Sequence, residues 1–301
     1  MDRPRTETVL PNQVVTPSVA NRLATKSSHQ MLSYDSLSLV DPNTTLSFGL
    51  HEDGSYDGLP VTVFKIFAKQ LSSMDRLLDE LNTLHHLRHP NVLLFLGACT
   101  DEKDNLYLVS ERPGTEKLDQ ILSNHRLHLS WQAHLLPIAM DVCRAMVYLH
   151  AKNRPHGNLT SASILLSNQH YDAAKVMDTR YISLVADEVY AGLPTHSAPD
   201  YLRGDVSSSE ACDVYSFGMV LWELCTRREP YAEVRESMST FATMDAIANG
   251  RLFPGPLPSN VPAPLAQLVA ACLAADPSHR PVFREVLTTL DTTVRAAVAS
   301  L

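Results

Sequence analysis

The chain predicts an α+β fold in two lobes, a small sheet-rich one followed by a larger helical one. Three observations carry this. Short strand-like runs separated by turn residues fill the chain up to Pro113-Gly114, a single amphipathic helix interrupts them, and helical periodicity takes over from Glu116. With 301 residues, 45% of them hydrophobic, the chain can bury one large core or two smaller ones.

Residues 1–30 are rich in Thr, Ser, Asn, Pro and Gln without periodicity, and read as a flexible tail. Strand-like runs follow at 31–40, 45–51 and 59–67, broken by Asp41-Pro42-Asn43 and by the turn residues of 53–58. The stretch 74–87 places Leu77, Leu78, Leu81, Leu84 and Leu87 at helical spacing, with its charges mostly opposite. Two more strands are expected at 91–98 and 106–110. Helical runs then occupy 118–123, 131–151, 212–225, 238–249, 264–275 and 283–298, with an irregular stretch over 167–210.

A net charge of −8 argues against a nucleic-acid binder, which would need a basic face. The five cysteines are far apart and contain no C-x-x-C pair, so they read as reduced, mostly buried thiols of an intracellular protein. No apolar core follows a basic flank at the start of the chain, so no signal peptide is visible. The longest apolar stretch, 265–275, is interrupted by Gln267 and is too short to span a bilayer. A soluble, cytoplasmic protein is expected.

Four strings carry a resemblance to the protein kinase domain, and they occur in family order with family spacing. ACDVYSFGMVLWELCTRREPY at 211–231 is the most specific; the others are LRHPNVLLFLGAC at 87–99, SAPDYLRG at 197–204 and SHRPVFREVL at 278–287. The chain resembles the tyrosine-kinase-like group over residues 31–298. The run GLPVTVFKIF at 58–67 is also similar to the Scy-like pseudokinases. The resemblance implies a bilobal protein kinase-like fold. Its N-lobe (31–113) would be a small antiparallel sheet with one main helix, and its C-lobe (114–298) would be mostly helical.

Phosphoryl transfer asks the protein for positioning and charge neutralisation around ATP. On the family pattern, Lys65 matches the lysine that pairs with the α/β-phosphates, and Glu80 matches its carboxylate partner. Val63 lies where the family has a small alanine above the adenine ring, and Leu165 supplies the floor. The glycine-rich loop falls at 39–45, which contains no glycine; a rival placement on Gly49, Gly54 and Gly58 has the wrong spacing, and Gly54 and Gly58 read more simply as hairpin residues.

In PHGNLTSASILL (155–166), His156-Gly157-Asn158 stands where the family has H-R-D. Asn158 replaces the catalytic aspartate, and an amide oxygen can orient a hydroxyl without being a useful base. Gly157 removes the arginine that reads an activation-segment phosphate. Thr160 replaces a lysine that neutralises the transferred group. Ser163 replaces the asparagine that holds the second Mg2+, and a neutral hydroxyl is a poor substitute. The D-F-G motif becomes Asp178-Thr179-Arg180. Asp178 could hold one Mg2+, or be neutralised by Arg180 in a structural pair; both readings stand. Thr179 leaves a gap in an apolar column with Leu84 and His156. Tyr181, Ser183, Tyr190, Thr195 and Ser197 are hydroxyls of an activation-segment equivalent, more simply read as ordinary loop residues.

The scaffold positions are intact. The resemblance implies that Asp213 bonds the backbone of 156–158, that His156 anchors the loop, and that Asp200 and Arg280 form a buried ion pair. It therefore implies a pseudokinase acting with protein partners as a scaffold or allosteric module. ATP is the cofactor its cleft would take, and Mg2+ is poorly provided for. A divergent kinase phosphorylating Ser/Thr or Tyr is the second reading, and a nucleotide-sensing switch the third.

Overall fold

The order of the first half is set by one tight turn. The computed structural model describes residues 18–26, 31–39, 51–67, 74–112, 114, 116–166, 170–178, 195–234 and 237–300. Asp57 and Gly58 have φ of 48° and 79°, so a two-residue turn of type I′ joins β2 (His51–Tyr56) to β3 (Leu59–Ile66). That turn's twist matches the twist of antiparallel strands. The expected break over 53–58 is therefore mostly strand, and residues 45–50 of the strand expected at 45–51 lie outside the described residues. Gly54 lies inside β2, opposite Leu39 and Val61.

β1 (Leu37–Leu39), β4 (Phe95–Thr100) and β5 (Leu106–Glu111) complete an antiparallel sheet in the order β1-β2-β3-β5-β4. Alternation divides β3 between the two faces of this sheet. Phe64 and Ile66 join the buried Leu77, Leu78, Leu81 and Leu84 of α2 (Met74–His85) in the main core. Val61 and Val63 pack on the other face with Cys99, Tyr107 and Val109.

The sheet also carries a helix that the reading of 1–30 as a flexible tail missed. α1 (Val19–Lys26) places Leu23, 1% exposed, in the same core as α2. Two apolar residues four apart are too faint a pattern to separate a short docked helix from a tail.

The second half is helical, as expected. It runs through α3 (Leu118–Ser123), α4 (Leu136–His150), the two-stranded β6 (Ile164–Leu166) and β7 (Ala174–Val176), and then α5 (Pro199–Leu202). After these come α6 (Glu210–Thr226), α7 (Thr240–Ala248), α8 (Ala263–Cys272) and α9 (Phe283–Thr289). The Ser209 hydroxyl caps α6 by accepting the Cys212 N–H, and α6 is buried over most of its length. A helix apolar all round belongs at the centre of a lobe, and α8 packs directly on it. Among the described residues, no helix is long and apolar enough to cross a membrane.

The Arg280 guanidinium donates to Asp200 Oδ1 at 2.5 Å, to Ala274 O at 2.8 Å and to Ala211 O at 3.1 Å, tying α5 to the start of α6 and to the turn before α9. Both side chains are buried. Removing one partner strands the other charge, so Asp200→Ala should cost about 3–5 kcal/mol; a denaturant melt of the variant against the parent chain checks this.

Candidate functional site

The loop between α4 and β6 is hung from a single carboxylate. Asp213, on the first turn of α6, accepts the His156 N–H at 2.7 Å and the Gly157 N–H at 2.8 Å, and the His150 imidazole bonds it at 2.8 Å. The His156 ring reaches back to Met177 O at 2.9 Å, fixing the loop against the segment that carries Asp178. That segment is stitched in turn to the entry of β4, through Leu93 N–H to Val176 O at 2.9 Å and Val176 N–H to Asn91 O at 2.8 Å. Asn158, Ser163 and Asp178 are thus held in one region between the sheet and the helical lobe.

Gly157 has φ of +75°, and a Cβ on it would sit 2.7 Å from the Ser208 hydroxyl. The position is left-handed and already crowded, so it suits glycine for reasons beyond the loss of an arginine. The Asn158 side chain is exposed. Ser163 is buried, and its hydroxyl is turned back on its own turn: it accepts the Thr160 N–H at 3.0 Å and donates to Thr160 O at 2.8 Å.

The expected pairing of Lys65 with Glu80 does not form. Lys65 lies opposite Tyr107, on the face of β3 that points away from α2. Its ammonium sits 5.1 Å from the centroid of the Tyr107 ring and 5.2 Å from that of Phe67, at cation–π range. Val63 shares that face, so it does not roof the cleft either. The residues of β3 on the α2 face are Thr62, Phe64 and Ile66, with Thr62 opposite Ser110 of β5. A one-residue slip in strand register exchanges every side chain between faces. That slip separates the sequence reading from the structure, and it leaves a phenylalanine on the face where a phosphate-pairing lysine was expected. Leu165 is buried in a small cluster with Leu93 and Met177.

Glu80 is bound by a residue that the sequence reading passed over. The Arg154 guanidinium, 5% exposed, donates through Nη2 to Glu80 Oε1, through Nη1 to Glu80 Oε2 at 3.3 Å, and through Nε to Asp178 Oδ2 at 2.6 Å. Burial opposes the cation, but the Asp178 and Glu80 carboxylates more than offset it and hold the guanidinium above its ordinary pKa. Asp178 itself is 5% exposed. Arg154 is one partner of Asp178; the Asp178–Arg180 pair weighed from the sequence falls outside the described residues, as do Thr179, Arg180, Tyr181, Ser183, Tyr190 and the 40–45 part of the glycine-poor loop.

A second buried set, also unread from the sequence, sits below the loop. Glu223 of α6 accepts from the Ser161 hydroxyl at 2.9 Å and bonds His196 at 2.8 Å, and Thr195 bonds the other His196 nitrogen at 3.0 Å. Thr195, one of the hydroxyls noted in the sequence, is thereby buried in an anchor. Each of these residue types is common in loops, so only their meeting in space gives them meaning.

The chain matches the family model of protein tyrosine and serine/threonine kinases over residues 48–290. It is 32% identical over 264 residues to the serine/threonine-protein kinase CTR1 of Arabidopsis thaliana, covering 84% of this chain and 31% of that protein. Over 252 residues it is 31% identical to the "Probable serine/threonine-protein kinase drkC" of Dictyostelium discoideum, covering 79% of this chain and 32% of the relative. The dual specificity protein kinase splA of the same organism is 30% identical over 263 residues, 80% of this chain and 11% of the relative. The chain thus spans less than a third of the length of each of these relatives.

Kinase domains in general use ATP and Mg2+, and the residues here do not fit the metal. The carboxylate of Asp178 is engaged by a guanidinium, and the Ser163 hydroxyl is spent on Thr160. Among the described residues, no group of three or more His, Cys, Asp or Glu could hold a metal ion.

The two cations of this region should behave differently when removed. Lys65→Met should change stability by no more than about 1–2 kcal/mol, the range of a cation–π contact. Arg154→Met, which takes the guanidinium away from both Glu80 and Asp178, should cost about 3–5 kcal/mol. Urea unfolding of the two variants side by side makes the comparison. The placement of β3 predicts that order, whereas a Lys65–Glu80 pair would raise the cost of Lys65→Met toward that of Arg154→Met. From its sequence match and its two-lobed architecture, the chain belongs to the protein tyrosine and serine/threonine kinase family.

Proposed function

We propose that this domain is a pseudokinase, a kinase fold that works through protein partners as a scaffold or allosteric module and carries out no significant phosphoryl transfer. The observation that carries the reading is the guanidinium of Arg154 bound to both Glu80 and Asp178. Those are the two acids that, in the family resemblance, position the lysine and the metal. With Arg154 between them, neither is available for that work. Phe64 on the α2 face of β3 supplies no charge for a phosphate, and Asn158 is no base.

The scaffold around these residues persists, with Asp213 holding the loop and Asp200 pairing Arg280. We read this as retention of a folded surface for binding other proteins, with 31–298 as the domain and the cytoplasm as its compartment.

The second reading is a divergent kinase, and the names of the relatives favour it, since they are called serine/threonine-protein kinases. It requires Arg154 to leave both acids during turnover and another cation to reach the phosphates. The third reading, a nucleotide sensor, requires binding alone. Incubating the purified chain with radiolabelled ATP and Mg2+ or Mn2+, with generic protein substrates, should give no incorporation above that of a heat-treated control. Incorporation that disappears in an Asp178→Ala variant would overturn the pseudokinase reading, and a melting shift on ATP addition without transfer would select the sensor.

A further inference from the structure

In a working kinase cleft the catalytic lysine, the metal and the nucleotide together tie the helix of the small lobe to the large lobe. We propose that Arg154 has taken over that tie as an intramolecular ligand, so that the position of α2 is set by the chain itself and is insensitive to nucleotide and metal. This rests on the pseudokinase reading and adds how the domain holds its shape.

The geometry gives Arg154 this reach because it sits on the loop that Asp213 and Met177 immobilise, immediately before Pro155 and His156. Its fork spans two elements: Glu80 from the middle of α2, and Asp178 from the strand exit after β7. A planar guanidinium with several donors can serve two carboxylates at once, which an ammonium on a flexible stem does less well. The side chains of all three residues are largely withdrawn from water. Such a pair is screened little by salt, and the loss of one member leaves an uncompensated charge.

The rest of α2 shows why the tie matters. Leu77, Leu78, Leu81 and Leu84 hold it to the sheet through apolar contacts, which lack direction. Its C-terminal end is pinned separately, since the backbone N–H of Arg88, just beyond it, donates to the Tyr148 hydroxyl of α4 at 2.9 Å. The middle of α2 therefore meets the helical lobe through Glu80 and Arg154. Opening that contact would free α2 to pivot about its C-terminal end while its leucines stay on the sheet.

Amide hydrogen exchange on the full chain tests this. In the parent protein, exchange across residues 74–85 should change by less than about twofold on adding millimolar Mg2+ and ATP, while Arg154→Met should speed it by about tenfold or more and leave α6 protected. If Arg154→Met does not fold, Glu80→Gln cuts only the α2 branch of the tie and should produce the same selective rise. Arg154→Lys, which keeps the charge without the fork, should fall between the parent and Arg154→Met. Unchanged α2 exchange in Arg154→Met or Glu80→Gln would overturn the proposal, as would strong slowing of α2 exchange in the parent chain by Mg2+ and ATP. Failure of the tie would leave the case for pseudokinase behaviour standing on Phe64, Asn158 and Ser163. Detection of phosphoryl transfer would overturn that case without altering the exchange result.

Discussion

A single guanidinium between two carboxylates organises the cleft of this molecule. Arg154 satisfies Glu80 and Asp178 together, and without it two buried acids from different lobes would face one another. Like charges in a water-poor site repel strongly or become protonated. The requirement is therefore for some cation at this spot, and a bound metal ion is the other way to meet it. Here the cation is covalently part of the chain. It cannot dissociate, compete with solvent ions or follow the cellular concentration of nucleotide.

The framework around that cluster is organised by the same rule, that a buried charge is kept where its partners are complete. Asp213 accepts two backbone N–H groups from the loop it holds and is bonded by the His150 imidazole of α4, and Arg280 shares itself between Asp200 and three backbone carbonyls. Glu223 joins the start of α5's approach, at Thr195 and His196, to Ser161 of the loop. These networks lie beneath the cleft and do not depend on what the cleft contains. The order of the helical lobe thus rests on contacts of its own.

The architecture was largely legible in the sequence because it is written in periodicity. The leucines of 77–84, the switch to helix after 116 and the four family strings locate the lobes, since apolar spacing directly reports which face is buried. The cleft was less legible for two physical reasons. In β3, a run of Val, Thr, Val, Phe, Lys and Ile offers apolar residues on both faces, so the pattern does not say whether 63 and 65 or 62 and 64 face α2. The only cation in the run draws the eye to Lys65, which belongs to the other face. Arg154 stands in the polar stretch Ala151-Lys152-Asn153-Arg154, which reads as a solvent-facing turn. Its burial comes from acids 74 residues before it and 24 after it, and no local pattern announces a contact of that range. The helix at 19–26 was hidden in another way, since among its described side chains only Leu23 is fully buried.

The narrow space between Gly157 and Ser208 bears on which side chains position 157 could accept. An arginine at 157 would have to displace Ser208 before it could read a phosphate, because the space for its first carbon is already taken. The same holds at the clamp, where a lysine at 64 would arrive to find Glu80 occupied. At both positions a neighbour occupies the room that the family's side chain would need. Installing the family's residues here would then demand several coordinated substitutions, none of which helps alone, so that on the pseudokinase reading proposed above these positions behave like a ratchet.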